Sequence, residues 1–268
     1  MKRLIFIPLF LLNIFLVFPQ AVFSQVMDNY SIGSAKTLEG STYILKCFIS
    51  DYRDEWSHEE KLIVINKYHE ATNWLKEQAL RYNVRIGFTG GVFGLTNDVK
   101  LDNIETGTGS GLENVRLISI VLRRIGYADS LAFYNWAKDQ GFDNVLVILF
   151  AKGSGTGYAM SMQSEDMDRG LFYLEGAILY EKYQNGLDLV SSSIAHEILH
   201  NFGAWDLYVT FRQQFREMES FAREHFSNSI MHRVGFDINN LSVDPLTAWR
   251  IGWNKTSESW FYALNPYN

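Results

Sequence analysis

Residues 196–206 read HEILHNFGAWD, with two histidines four apart and a glutamate beside the first. On a helix, residues four apart lie on one face, one turn from each other. His196 and His200 can then share one cation, and imidazole nitrogens suit Zn2+ at ~2.0–2.1 Å. Glu197 stands about 100° round the helix from His196. From there it reaches a water on the metal more readily than the metal itself, which is the position of a general base. Two ligands are too few for a tight catalytic site. Gly203 falls where the helix should stop, and glycine tolerates the left-handed conformation at such an end. The chain can then turn back and offer a carboxylate oxygen from Asp206. Three protein ligands leave the fourth position to water, the open geometry of a catalytic zinc site. Zinc lowers that water's pKa towards ~7 and polarises a carbonyl. Glu197 takes the proton and later hands it to the leaving amine.

Other donors compete for the third position. REMESFAREHF, residues 216–226, is helical in pattern and carries Glu217, Glu219 and Glu224. His225 and His232 are further contenders. The plain alternative is a pair of satisfied histidines on a buried helix.

The motif needs a scaffold. Residues 42–50 read as a first strand. Ser57 and Glu60 form a capping box for a helix running to Arg81, with Val64, Tyr68, Ala71, Leu75 and Ala79 on its apolar face. His58 and His69 belong to that helix as surface residues. Residues 84–93 predict a second strand, broken at Gly90-Gly91. The polar, glycine-rich stretch 97–114 reads as a loop; its GTGSG lacks the lysine and preceding strand of a phosphate cradle. Helices are expected over 113–125 and 129–140. The apolar run 144–151 suits a central strand, residues 153–163 an edge segment, and 171–180 a fifth strand. The motif helix spans 189–202, anchored by Ile194, Ala195, Ile198, Leu199 and Phe202. A final helix is expected over 244–253, with Trp249 and Trp253 as core.

Composition sets the class. The chain has 268 residues, 47% hydrophobic and 20% charged, enough for a substantial core. Its net charge of -6 gives no reason to expect nucleic acid or an anionic membrane as partner. Lys2 and Arg3 precede a long apolar run and a small-residue stretch. Residues 1–24 therefore read as a cleavable secretory signal, and 25–40 as a flexible lead-in. The expectation is a secreted or periplasmic protein with no stable membrane anchor. Cys47 is the sole cysteine, so an intrachain disulfide is excluded. Its strand-like surroundings mark it as a buried hydrophobe.

HEILHNFGAWD resembles the HExxHxxGxx(H/D) helix of the metzincin metallopeptidases. Ser229-Ile230-Met231-His232 resembles that family's Met-turn, although Met231 as simple core filling fits equally. The resemblance implies an α+β zincin domain: a twisted mixed sheet of about five strands with packing helices, an active-site helix, a Met-turn and a C-terminal helix. It divides the chain into an upper part, 41–203, and a lower part, 204–268. It implies one catalytic Zn2+ held by His196, His200 and Asp206, with Glu197 as base. It further implies an extended polypeptide substrate lying antiparallel to an edge strand within 155–163. Aspartate as third ligand is the minority pattern, similar to the snapalysins. Some members carry a tyrosine two residues after the turn methionine. Here Arg233 stands there, either facing solvent or serving an oxyanion. The helices over 113–140 resemble an insertion into a minimal member. The function expected is a secreted zinc metalloendopeptidase. The alternatives are a non-catalytic metzincin-like binding protein and a metal-dependent amidohydrolase acting on a non-peptide amide.

Overall fold

Strand β1 (Gly40–Ser50) and strand β5 (Asn144–Ser154) lie side by side in parallel, paired from Thr42↔Asn144 to Ile49↔Ala151. They form the middle of the sheet in a computed structural model that describes residues 33–101, 111–161, 172, 174–208 and 215–263. Helix α1 (His58–Arg81) follows β1, with Ser57 closing the capping box on Glu60. The chain then lays three short parallel strands along the outer edge of β1: β2 (Ile86–Thr89), β3 (Val92–Phe93) and β4 (Val99–Lys100). Helices α2 (Gly111–Arg124) and α3 (Ser130–Asp139) lead into β5, and Asp129 caps α3 through the Ala132 N–H. Beyond β5, strand β7 (Gly176–Lys182) runs parallel to it, and β6 (Tyr158–Met160) pairs antiparallel on the far side of β7. The order is β2-β1-β5-β7-β6, in one mixed sheet. Helix α4 (Ser191–Asn201), helix α5 (Phe215–His225), a 3-10 turn (Ile238–Asn240), helix α6 (Pro245–Arg250) and helix α7 (Ser259–Ala263) complete the described chain.

This is an α+β chain with helices on both faces of the sheet. Alternate residues of β1 serve opposite faces, as the period of a strand requires. Ile44 and Phe48 join α1, α4 and α6 in one core, whereas Leu45, Cys47 and Ile49 pack with α2 and α3 in the other. Residues 144–151 are all buried, the continuous apolar run of a strand covered on both sides. The α4 face thus rests on α1 and the sheet, and the other core buttresses the sheet from behind.

Several expectations need correction. The sheet has seven strands rather than about five, because β3 and β4 are two-residue pairings too short to leave a periodic pattern. Strand β7 starts at Gly176, later than the expected 171; just before it the Glu175 carbonyl still accepts the Val147 N–H (3.2 Å) while its carboxylate accepts the Ala35 N–H (2.6 Å). The expected lead-in, 25–40, is packed from residue 33 onward. Lys36 N–H donates to Asn144 Oδ1 at 3.0 Å, Leu38 N–H donates to the Ile251 carbonyl at 2.9 Å, and Ala35 and Leu38 are fully buried. The last long helix is shorter than 244–253. Gly252, at φ 90°, turns left-handed, donates to Trp249, and lets Trp253 donate back to Ala248. This is a glycine helix stop. The signal expected over 1–24 lies outside the described residues. Among those described, no helix is long and apolar enough to cross a membrane.

One buried charge tests the account of β1. Lys46 is 4% exposed, and its ammonium donates to the carbonyls of Ile44 (3.0 Å) and Gly90 (3.2 Å), with no carboxylate bond among the described residues. Burial lowers it to about 8. Between pH 8 and its ordinary pKa of ~10.4 the unfolded chain binds the proton that the fold rejects, so stability rises with pH there. Measured by urea unfolding, wild type should gain on Lys46→Met by about 1.4 kcal/mol per pH unit between pH 8 and 10. A pH-independent difference would contradict the burial argument.

Candidate metal centre

Helix α4 is buried on nearly every side, and its N-terminus has no side-chain cap of its own. The Tyr183 hydroxyl substitutes: it accepts from the Val190 N–H and shares a hydrogen bond with Ser193. At the other end Gly203, at φ 90°, closes the helix. Gly203 N–H donates to His200 (2.9 Å) and Ala204 N–H to Leu199 (3.2 Å). That pair of bonds is a Schellman stop. The stop also brings the Ala204 carbonyl round to His200, whose Nδ1 lies 2.9 Å away.

His196 is fixed from a different direction. Its Nδ1 lies 2.9 Å from the Ile230 carbonyl, in the turn around Met231. Leu207 N–H donates to the Met231 carbonyl at 2.9 Å, so the turn and the segment leaving α4 are tied together. Met231 itself is fully buried in the core behind the helix.

The consequence lies at the opposite ring nitrogens. A carbonyl only accepts, so each Nδ1 carries a proton, and each Nε2 of a neutral imidazole is a bare lone pair. The two Nε2 atoms are 3.0 Å apart. Asp206 Oδ1 lies 3.2 Å from Nε2 of His196 and 3.1 Å from Nε2 of His200. Three electron-pair donors therefore face one another across the edges of a small triangle. A tetrahedral site with ~2.0–2.1 Å bonds has edges of about 3.3 Å, close to this spacing. The donor set of two imidazoles and one carboxylate suits Zn2+. Among the described residues this is the one group of three or more such donors close enough to hold a metal.

The same spacing sets the charges of these groups. Burial opposes a charge on His200, but the Asp206 carboxylate beside it raises the imidazole to about 9. Asp206 pays for its own burial and is still held far below the usual carboxylate range by His200 and His196. Glu197 is buried and its pKa is raised, first by desolvation and then by Asp206, against the pull of the two histidines. It accepts the Ala159 N–H of edge strand β6, and among the described residues its Oε2 has no hydrogen-bond partner. An orphaned buried oxygen of that kind needs a polar guest such as water.

A cleft of about 180 Å3 opens beside Glu197 and His196, walled by Leu179, Leu189 and Val234, with Tyr183, Ser193 and Tyr208 adding hydroxyls. Tyr208 went unnoticed in the sequence. Its ring stacks on His196 with centroids 6.2 Å apart, and its hydroxyl donates to the Asp206 carboxylate. Burial and that carboxylate push the phenol well above its ordinary range. Alternation was the available signal: in an extended segment residues 206 and 208 share a side.

The rivals for the third position do not converge. Glu219 pairs with Arg223 at 2.5 Å, and Glu224 is exposed. His225 stacks on Phe221, and the Glu217 side chain lies outside the described residues. His232 and Glu224 are both absent from the donor triangle. Arg233 is exposed, donates to Asn228 Oδ1 at 3.1 Å and does not line the cleft. The edge segment expected over 155–163 is described as far as residue 161 and contains β6. Comparison with known proteins adds no assignment: no protein-family model matches the chain, and no curated protein matches it.

Zinc ligation requires neutral imidazole, so the proton that His200 carries at pH 7 must leave. Calorimetric titration of zinc into the metal-free protein at pH 7, in buffers of different ionisation enthalpy, should show release of at least one proton per ion. Binding with no proton release would contradict this description of the site.

Proposed function

We propose that the protein is an exported zinc-dependent metalloendopeptidase of the metzincin type, with His196, His200 and Asp206 holding the metal and Glu197 as general base. What carries the reading is the triangle of convergent donor atoms, His196 Nε2, His200 Nε2 and Asp206 Oδ1, beside a buried carboxylate with an oxygen unsatisfied among the described residues. When bound, zinc supplies Lewis acidity and acidifies water.

The chain's own groups do the rest. Glu197 takes the proton of the attacking water on Oε2, the oxygen without a partner, and delivers it to the leaving amine. Its raised pKa suits it to both halves of that transfer. The Ala159 N–H holds its orientation from β6. Among the described residues strand β6 pairs only with β7, and its other edge would receive an extended polypeptide. The apolar walls of the cleft receive one substrate side chain and exclude water from the scissile bond. Tyr208, hydrogen-bonded to Asp206 and lining the same cleft, steadies the third ligand on the substrate side. Export rests on the signal pattern of residues 1–24, and the element order strand, helix, sheet, motif helix, methionine turn and late helix supports the family reading.

Glu197→Gln should keep about one zinc per chain by metal analysis and lose peptide hydrolysis by ~10²–10⁴-fold. A variant that retains activity would remove Glu197 from the mechanism. A wild type that binds zinc but cleaves nothing in a diverse peptide library would favour the binding-protein reading.

Tyr208→Phe should lower kcat by ~10–100-fold with zinc retained, since it strips a hydrogen bond from a ligating carboxylate. An unchanged kcat would make Tyr208 part of the cleft wall and nothing more.

A further inference from the structure

A second buried carboxylate stands behind the donor triangle. Asp244 is 3% exposed and caps α6 through the Thr247 N–H at 2.9 Å. Its other oxygen accepts from both the Thr247 hydroxyl and the Ser229 hydroxyl, each at 2.6 Å. Ser229 Oγ in turn accepts the Met231 N–H at 3.1 Å. A backbone bridge adds to this: Ile230 N–H donates to the Ser242 carbonyl at 3.0 Å, and Ser242 N–H to Asn228 at 2.8 Å. Between Ser229 and Met231, both pinned, lies the Ile230 carbonyl that faces His196 Nδ1.

We propose that Asp244, acting through the Ser229 hydroxyl, is a positioning residue for His196. The relay Asp244–Ser229–Met231 fixes the peptide that presents the Ile230 carbonyl, and the carbonyl fixes the Nδ1–H tautomer and the plane of the ring. Nε2 is thereby left as the donor aimed into the triangle. The inference rests on the reading of that triangle as a zinc site. It differs from a general stabilising role because its effect is directed at one ring. Hydrogen bonds from a metal-ligating histidine to an outer partner fix tautomer and orientation, and losing such a partner weakens metal binding by ~10–100-fold.

The test compares Ser229→Ala with Thr72→Ala, which removes a similarly buried hydroxyl bonded to the Tyr68 carbonyl in α1. Zinc affinity is measured by competition with a chromophoric chelator, and stability by urea unfolding of the metal-free proteins. Ser229→Ala should lose ~10–100-fold in zinc affinity, and Thr72→Ala should lose stability only. In zinc-loaded protein the downfield Nδ1–H resonance of His196 should exchange with water faster in Ser229→Ala than in wild type. Should Ser229→Ala fail to fold, Asp244→Asn carries the comparison: with its amide oxygen kept on the Thr247 N–H, the amide nitrogen in place of Oδ2 cannot accept the Ser229 hydroxyl. Unchanged zinc affinity and proton exchange in the Ser229 or Asp244 variant would overturn the relay. So would an equal loss of affinity in Thr72→Ala. A wild type that binds no zinc would overturn the metal reading itself, a different outcome from either.

Discussion

Two carbonyls that hydrogen-bond to two imidazoles constrain everything else in this molecule. Because the Ile230 and Ala204 oxygens occupy the Nδ1 sides of His196 and His200, the Nε2 sides are left bare and face each other. Asp206 adds a third oxygen to the same small space. Neutral donors and a carboxylate at such spacing repel unless something positive sits among them. The Asp206 carboxylate favours a proton on His200, which is why burial fails to lower that imidazole's pKa. A divalent cation satisfies the same three atoms at once. On the proposed reading, proton and metal would compete for the same lone pairs.

The fold serves that arrangement. Helix α4 carries both histidines and is clamped between α1 and the sheet, so the rings inherit the rigidity of the core. Its stop is also a functional part, since the turn at Gly203 delivers both the Ala204 carbonyl and the segment bearing Asp206. Arg250 of α6 holds that turn from behind, donating from Nε to the Gly203 carbonyl at 2.9 Å with its guanidinium over the Trp205 ring. Glu197, the proposed general base, comes from the same helix as the two histidines but faces the cleft and β6. His196, Glu197 and His200 therefore keep a relation set by one helix.

Much of this was legible in the sequence, and for identifiable reasons. The four-residue spacing of His196 and His200, the Ser57 capping box, and the uninterrupted apolar run of β5 are local signals that the tertiary structure did not override. Gly203 announced a turn, and the turn is there. What escaped was either very short or made by distant partners. Two-residue strands such as β3 and β4 have no period to read. Residues 33–39 look like a loose leader, yet Glu175, Asn144 and Ile251 pin them from far along the chain. The role of Tyr208 depends on a stacking contact with His196 that spacing alone does not specify.

The central claim concerns the identity and number of atoms around one ion. X-ray absorption at the zinc edge of the loaded protein measures both most directly. The account predicts a four-coordinate shell at ~2.0–2.1 Å, with the outer-shell scattering of two imidazoles, the remainder oxygen, and no sulfur. A shell of oxygens alone, with no imidazole scattering, would contradict it.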